Sequence, residues 1–137
     1  MNVRVDTSVW VGHFKLYNEH LAALLEPARA VCHPYVVVEL ACGTPANRRS
    51  ILDSMVLVER VAVATTAEVL AMIEQRRCFG RGCGSVDLSL LASALPHGST
   101  QIWTLDQRLQ AGAAEAVLNY RPQVQSWGSG RLRLQAA

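Results

Sequence analysis

A chain of 137 residues, half of them apolar, is long enough to bury one sizeable core and too short for two ordinary domains. Its longest nearly uncharged run, Ala30 to Asn47, is shorter than the roughly 20 residues that a membrane-spanning helix needs. The formal charge of +2 permits nucleic-acid contact without predicting it, although nearly all the basic residues are arginine, which suits bidentate phosphate binding.

The cysteines and the N-terminus indicate the compartment. Cys32, Cys42, Cys78 and Cys83 form no Cys-x-x-Cys pair, and a chain of this size does not depend on disulfides. The N-terminal residues lack the basic head and apolar centre of a secretory signal. We therefore expect reduced, mostly buried thiols in a cytoplasmic protein that does not enter a membrane.

The first part of the chain alternates short extended segments with helices. Met1 to Val5 is rich in valine and predicts a strand, after which Asp6-Thr7-Ser8 offers caps for a helix. Leucines at helical spacing predict a helix over Glu19 to Glu26, which the following proline ends. Ala30 to His33 predicts a short strand. Tyr35 to Cys42 predicts a helix, despite three consecutive valines.

The second part continues the alternation. The predicted elements are a helix capped by Asn47, an extended segment over Val61 to Ala64, a helix capped by Thr65-Thr66 and running to Phe79, a glycine loop over Gly80 to Gly84, a helix over Ser85 to Leu95, and a strand over Thr100 to Thr104. Such alternation predicts an α/β fold with a mainly parallel sheet and helices on both faces. We place this domain at residues 1–120 and treat 121–137 as a C-terminal extension with a last strand and a loose end.

Three of the four aspartates fall where open α/β sheets bind ligands. Asp6 and Asp106 follow predicted strands, and Asp87 lies in the first turn of a predicted helix. Aspartates at such positions are also common helix caps, so placement alone leaves both roles open.

The neighbours of two acids favour burial. Asp87 has Leu90, Leu91 and Ala94 at helical spacing, while Ser85, Ser89 and Ser93 form a polar stripe nearly opposite, so we expect Asp87 to point inward. Glu39 is the only charged residue between Ala30 and Asn47, which predicts a buried or half-buried carboxylate.

Several buried carboxylates need a partner. Arg4 could pair with one of them, whereas a divalent cation satisfies several together. An all-oxygen ligand set suits Mg²⁺, Mn²⁺ or Ca²⁺, and none of the histidines at positions 13, 20, 33 and 97 has the spacing of a zinc site. The sequence also lacks a Gly-x-Ser-x-Gly elbow and a P-loop, which argues against serine-nucleophile and P-loop enzymes.

Four short motifs in order resemble those of the PIN-domain ribonucleases, and within them the VapC-type toxins of bacterial toxin–antitoxin systems. The motifs are Val5-Asp6-Thr7-Ser8-Val9-Trp10, Val38-Glu39-Leu40-x-x-Gly43, Ser85-Val86-Asp87-x-x-Leu90-x-Ala92 and Trp103-Thr104-Leu105-Asp106. The family often has alanine after the third acid, where this chain has Leu88. The tail beyond Arg121 matches no motif.

The resemblance implies a PIN-like three-layer α/β/α sandwich and an Mg²⁺- or Mn²⁺-dependent endoribonuclease. It implies Asp6, Glu39, Asp87 and Asp106 as catalytic metal ligands, with Thr104, and Thr7 or Ser8, as polar groups beside them. It further implies an RNA substrate, a small antitoxin partner and a homodimer. Trp10, Val11 and Phe14, or Leu52 and Met55, are candidates for the apolar surface that an antitoxin would cover.

Two questions stay open from the residues. Arg76, Arg77 and Arg81, just before the Asp87 helix, are candidates for RNA backbone contact or simply a solvated helix end. A non-catalytic PIN-fold module that binds RNA or protein is the alternative function, although the intact acids argue against it. A phosphatase or receiver-like Mg²⁺ enzyme would need an acid adjacent to Asp6, and none is present.

Overall fold

The protein is described by a computed structural model that covers residues 1–116, 118–127 and 131–135. Its elements in chain order are β1 (Asn2–Val5), α1 (Thr7–Lys15), α2 (Glu19–Leu25), β2 (Ala30–Val31), α3 (Pro34–Cys42), α4 (Arg48–Met55), α5 (Thr66–Arg76), α6 (Ser85–Ala94), β3 (Thr100–Trp103), α7 (Gln107–Glu115), β4 (Gln123–Trp127) and β5 (Arg131–Gln135). Within these ranges no helix is both long and apolar enough to cross a bilayer.

The central sheet has three parallel strands in the order β2-β1-β3. Val3 is paired with Ala30 on one side, and Val5 is paired with Trp103 on the other. The chain therefore places its first strand in the middle of the sheet. β4 and β5 form a separate antiparallel pair in the predicted C-terminal extension.

Alternating side chains of the strands build a core on each face of the sheet. Val3, Val5 and Trp103 pack with residues from α1 to α4, including Trp10 and Met55. Ile102 packs on the opposite face with residues from α5, α6 and α7. The arrangement of helices, sheet and helices confirms the predicted α/β/α sandwich.

Local capping explains where several helices begin. Thr65 starts α5 with a capping box: its hydroxyl accepts the backbone N–H of Glu68 at 3.1 Å, and the Glu68 carboxylate accepts the N–H of Thr65 at 2.9 Å. Asn47 precedes α4 as predicted but makes no side-chain cap bond. That detail of the prediction was wrong.

The extended segment predicted at residues 61–64 is not a strand. Pairing with β2 occurs slightly earlier in the chain, where Cys32 donates its N–H to Glu59 at 2.9 Å and Val61 donates its N–H to Cys32 at 3.0 Å. A single parallel bridge between Cys32 and Arg60 results, so the valine-rich composition predicted more pairing than forms here.

The serine stripe predicted on α6 is also wrong, because Ser89 and Ser93 are buried. The Ser93 hydroxyl donates to the carbonyl of Leu90 at 2.7 Å within the same helix, which satisfies it without water. Helix α6 is therefore enclosed along most of its length after Asp87.

Arg4 forms no ion pair with a carboxylate in the part of the chain that the structure describes. Its buried guanidinium donates from Nη1 to Thr100 Oγ1 at 2.6 Å and from Nη2 to the carbonyl of Ser93 at 3.0 Å. Ser93 lies at the end of α6, and Thr100 lies at the start of β3. Arg4 therefore makes its hydrogen bonds at the end of the sheet opposite to Asp6.

Candidate metal centre and active site

Asp6 stands at the carboxyl end of the central strand. Its backbone N–H donates to the carbonyl of Trp103 at 2.9 Å, which continues the pairing between β1 and β3 by one residue. It is also the residue preceding the first turn of α1, and its side chain is buried. A buried carboxylate at this position faces the loops that follow all three strands.

Two hydroxyls hold the Asp6 carboxylate. Oδ2 accepts a hydrogen bond from Thr104 at 2.7 Å and another from Ser8 at 2.9 Å. The hydroxyl oxygens in turn accept backbone N–H groups, from Asp106 for Thr104 and from Leu105 for Ser8, each at 3.0 Å. A carboxylate oxygen only accepts hydrogen bonds, so both hydroxyls direct their hydrogens to Asp6.

Asp106 caps the helix that follows β3. Its Oδ1 accepts the backbone N–H groups of Arg108 at 2.9 Å and Leu109 at 3.1 Å. The side chain is exposed, and both cap bonds fall on one oxygen. The cap thus fixes the carboxylate at the same edge of the sheet as Asp6.

Asp87 lies in the first turn of α6, and its Oδ2 accepts the backbone N–H of Gly84 at 3.3 Å. Burial raises the pKa of this half-buried carboxyl group, the Gly84 hydrogen bond opposes that shift, and the negative charges of Asp6, Asp106 and Glu39 raise it further. The charges of three of the predicted acids therefore reach the fourth, Asp87.

Glu39 is exposed, which corrects the prediction of a buried side chain. Its Oε1 accepts a hydrogen bond from the Thr7 hydroxyl at 2.6 Å, which ties α3 to the first residue of α1. The neighbouring Val38 on α3 is 59% exposed as well, so apolar composition did not indicate the buried face of this helix.

These groups fit a hard divalent cation. The donors are carboxylate and hydroxyl oxygens, which Mg²⁺ and Mn²⁺ prefer. Burial raises the pKa of Asp87, and so do the neighbouring negative charges, which a cation would neutralise. In the described part of the chain, no group of three Asp, Glu, His or Cys side chains is close enough together to hold one metal ion. Binding would therefore bring the carboxylates closer to one another.

The predicted RNA-binding arginines lie around the end of α5. Arg76 is exposed on the last turn, and Arg77 ends the helix with a left-handed backbone, at a φ of 53°. Arg81 is paired with Glu115 of α7 at 2.6 Å. None of the three contacts the acids among the described hydrogen bonds and ion pairs.

Sequence reasoning missed Arg108. It lies two residues after Asp106, in the first turn of α7, and its Nη1 donates to the carbonyl of Gly82 at 3.3 Å. The available signal was its position: an arginine one half-turn after a strand-end aspartate is placed next to the site by the helix itself.

Comparison with known proteins agrees with this architecture. The sequence profile of the PIN domain matches residues 3–115, and the chain belongs to the PIN-domain family. Over 114 residues it is 41% identical to Ribonuclease VapC32 of Mycobacterium tuberculosis, in strain CDC 1551 / Oshkosh and in strain ATCC 25618 / H37Rv. The aligned region covers 83% of this chain and 92% of each relative. Within the PIN family, the chain groups with the VapC-type ribonucleases.

Proposed function

We propose that this protein is a metal-dependent endoribonuclease and the toxin of a toxin–antitoxin pair. The observation that supports this most directly is that Asp6, held by Thr104 and Ser8, lies at the same edge of the sheet as Asp106, whose N–H the same Thr104 accepts. The negative charges of Asp6, Asp106 and Glu39 also raise the pKa of Asp87, after the larger effect of burial. Carboxylates collected in this way are unfavourable unless a cation joins them. The relationship to a named VapC ribonuclease supports RNA as the substrate.

The four acids would hold Mg²⁺ or Mn²⁺. When bound, such a cation lowers the pKa of a water, offsets the charge of the phosphate and stabilises the leaving oxygen. Asp6 is the most firmly positioned of the ligands, because Thr104 and Ser8 both donate to it. Asp106 and Asp87 are held by backbone N–H groups at the starts of α7 and α6.

The polar residues act through the acids. Thr104 orients the Asp6 carboxylate and accepts the backbone N–H of Asp106, so one hydroxyl connects these two residues. Thr7 orients Glu39 in the same way. Arg76, Arg77 and Arg81 are proposed to attract the RNA backbone from the exposed end of α5, since guanidinium groups bind phosphate with charge-assisted hydrogen bonds.

Cleavage of a structured RNA by the purified protein tests the proposal. Activity should require Mg²⁺ or Mn²⁺, stop on addition of EDTA and disappear in Asp87→Asn. Asp53→Asn is the matched control, because Asp53 is an exposed aspartate whose only ion pair among the described residues is with Arg49, on the surface of α4. Cleavage that persists in EDTA would exclude the metal mechanism, and full activity in Asp87→Asn would remove that residue from it.

The antitoxin and the homodimer are parts of the same proposal. Trp10 and Met55 are buried in the core and cannot form the partner surface, which corrects that expectation. Val11 is exposed, and it lines a groove with Phe14, Leu40 and Ile51 close to Glu39. Co-purification from the native host should recover a second small protein, and light scattering of the purified chain should give twice the chain mass. A harmless, partnerless monomer would contradict both.

The nuclease domain is proposed to comprise residues 1–120. Tyr120 is buried, and its hydroxyl lies 2.5 Å from His20 Nε2 in α2, so a boundary before it would cut the core. A chain ending after Tyr120 should keep metal-dependent cleavage, whereas loss of activity without loss of folding would place residues 121–137 in the active unit.

A further inference from the structure

A cavity of about 280 Å³ opens between the glycine loop and α7. Leu88, Leu91 and Leu109, all buried core residues, form an apolar floor, and Arg81 and Arg108 line it as well. An apolar floor beside a few polar groups is the usual composition of a small-ligand site.

The cavity adjoins the acids. Leu88 follows Asp87 in the chain, and Gln107 follows Asp106, and both line the cavity. Cys83 lines it too, and burial followed by the negative charges of Asp87 and Asp106 raises the pKa of its thiol. The cavity is therefore lined by the residues that directly follow two of the acids in the chain.

Arg108 is held in place against Gly82. Its Nη1 donates to the Gly82 carbonyl at 3.3 Å, and a Cβ built on Gly82 would lie 3.1 Å from both Cδ and Nε of Arg108. Gly82 also has a φ of +83°, which side chains rarely adopt. Because Gly82 has no side chain, the loop leaves room for the Arg108 side chain, which a Cβ at position 82 would crowd.

The two arginines differ in charge pairing. Arg81 makes an ion pair with Glu115 at 2.6 Å, whereas in the described residues no carboxylate forms an ion pair with Arg108. Arg108 thus presents an unneutralised positive charge next to a group of carboxylates that would repel RNA. Guanidinium groups bind phosphate bidentately and also stack on unpaired bases.

We propose that this cavity receives one unstacked nucleotide of single-stranded RNA next to the cleaved bond, with its base on the apolar floor and its phosphate on Arg108. The inference rests on the proposed ribonuclease function and adds the subsite that holds the substrate. Its ligand is single-stranded because a base inside a duplex cannot enter a cavity.

Binding of a short fluorescein-labelled single-stranded RNA, followed by anisotropy in Mg²⁺, tests the subsite. All proteins carry Asp87→Asn so that the RNA is not consumed. Adding Arg108→Ala should weaken binding about tenfold and reduce its dependence on salt. Arg49→Ala removes an equal charge from the surface of α4 and should leave the affinity nearly unchanged.

Gly82→Ala removes no charge but places a methyl group 3.1 Å from Cδ and Nε of Arg108, so Arg108 must shift by a few tenths of an ångström and the affinity should fall, by less than in Arg108→Ala. Gly80→Ala is its matched control: Gly80 has a φ of +72°, so the backbone strain is similar, but a Cβ there meets nothing within 4 Å. Equal effects of the two glycine substitutions, or equal effects of Arg108→Ala and Arg49→Ala, would overturn the proposal.

Single abasic substitutions along the RNA locate the base. One position should lose affinity with Arg108 present and lose much less with Arg108→Ala, and a flat profile would contradict a base-binding cavity. The cleavage assay separates this inference from the proposed function. If the wild-type protein cuts no RNA, the ribonuclease proposal is wrong. If Arg108→Ala cuts RNA with an unchanged KM, only the proposed nucleotide subsite is wrong.

Discussion

The hydroxyl of Thr104 lies 2.7 Å from Oδ2 of Asp6, although 98 residues separate them in the chain. The contact exists because β1 and β3 are adjacent parallel strands, so the residues that follow them meet at one edge. The same hydroxyl accepts the N–H of Asp106 at 3.0 Å. One side chain thereby connects two acids of the proposed metal centre.

Thr104→Val should lower cleavage by about 10–100-fold, the usual effect of removing a group that orients a metal ligand. Asp6 loses one donor, the N–H of Asp106 loses its acceptor, and the free energy of unfolding should fall by about 1 kcal/mol. Thr100→Val is the control, because Thr100 bonds Arg4 and Asn2 at the other end of β3. Its stability should fall while its cleavage rate is retained, and equal rates in both variants would contradict the role given to Thr104.

Asp87→Asn should leave the metal-free protein as stable as the wild type or more stable. The raised pKa of Asp87 means that folding disfavours its charged form, so wild-type stability falls as pH rises from the unfolded pKa of 3.8 through the folded one. The gain in stability of Asp87→Asn over the wild type should therefore be complete above the pKa of Asp87 in the folded protein and should vanish below 3.8. Urea unfolding in EDTA across this pH range measures it, and Mg²⁺ should raise the Tm of the wild type more than that of the variant. A destabilised Asp87→Asn would indicate a simple helix cap.

Glu39→Gln should lower the cleavage rate and leave the free energy of unfolding nearly unchanged. Glu39 is exposed and bonded to Thr7, so its substitution should change the free energy of unfolding by no more than about 0.5 kcal/mol. Cleavage should nevertheless fall markedly at limiting Mg²⁺, because a ligand charge is lost. Glu74→Gln on α5 removes another exposed charge and should do neither. Wild-type activity in Glu39→Gln at every Mg²⁺ concentration would exclude Glu39 as a ligand.

Arg4→Met should leave cleavage unchanged, because Arg4 contacts Thr100 and Ser93 and none of the acids. Arg4 is a buried cation whose Nε has no hydrogen-bond partner among the described residues, and burial lowers its pKa. A buried charge without a charged partner is costly to desolvate, so an apolar side chain of similar length should be neutral or stabilising at this position. Chemical denaturation and the RNA assay together check this, and a stable but inactive variant would show that Arg4 supports the site.

The cysteines should react with a maleimide in order of exposure. Cys42 is exposed and should be labelled first, and half-buried Cys83 should follow. Cys32 and Cys78 are buried, and burial raises the pKa of Cys32 to about 11, so at neutral pH both should react only on unfolding. Mass spectrometry of peptides from a time course gives the order, and early labelling of Cys32 would contradict the buried position of β2.

The sequence predicts the sheet and its acids well because strand ends and caps are local signals. Asp6 and Asp106 were placed correctly from a valine-rich strand and from turn residues around it. Burial was predicted less well, since it depends on which side of a helix meets the core. Ser93 is buried because it satisfies its hydroxyl within α6, and Glu39 is exposed although its neighbours are apolar. The position of Arg108 beside the cavity could not be predicted from the sequence, because it depends on the conformation of a glycine loop far away in the chain.

The central position of β1 has a consequence for synthesis on the ribosome. β1 is translated first, but its partner β3 and Asp106, which caps α7, emerge much later. At roughly 5–20 residues per second, the stretch between Asp6 and Asp106 takes about 5–20 s to make. A nascent chain cannot assemble the complete set of acids before then. The proposed nuclease activity therefore cannot begin on a nascent chain until translation has passed Asp106 and β3 has paired with β1.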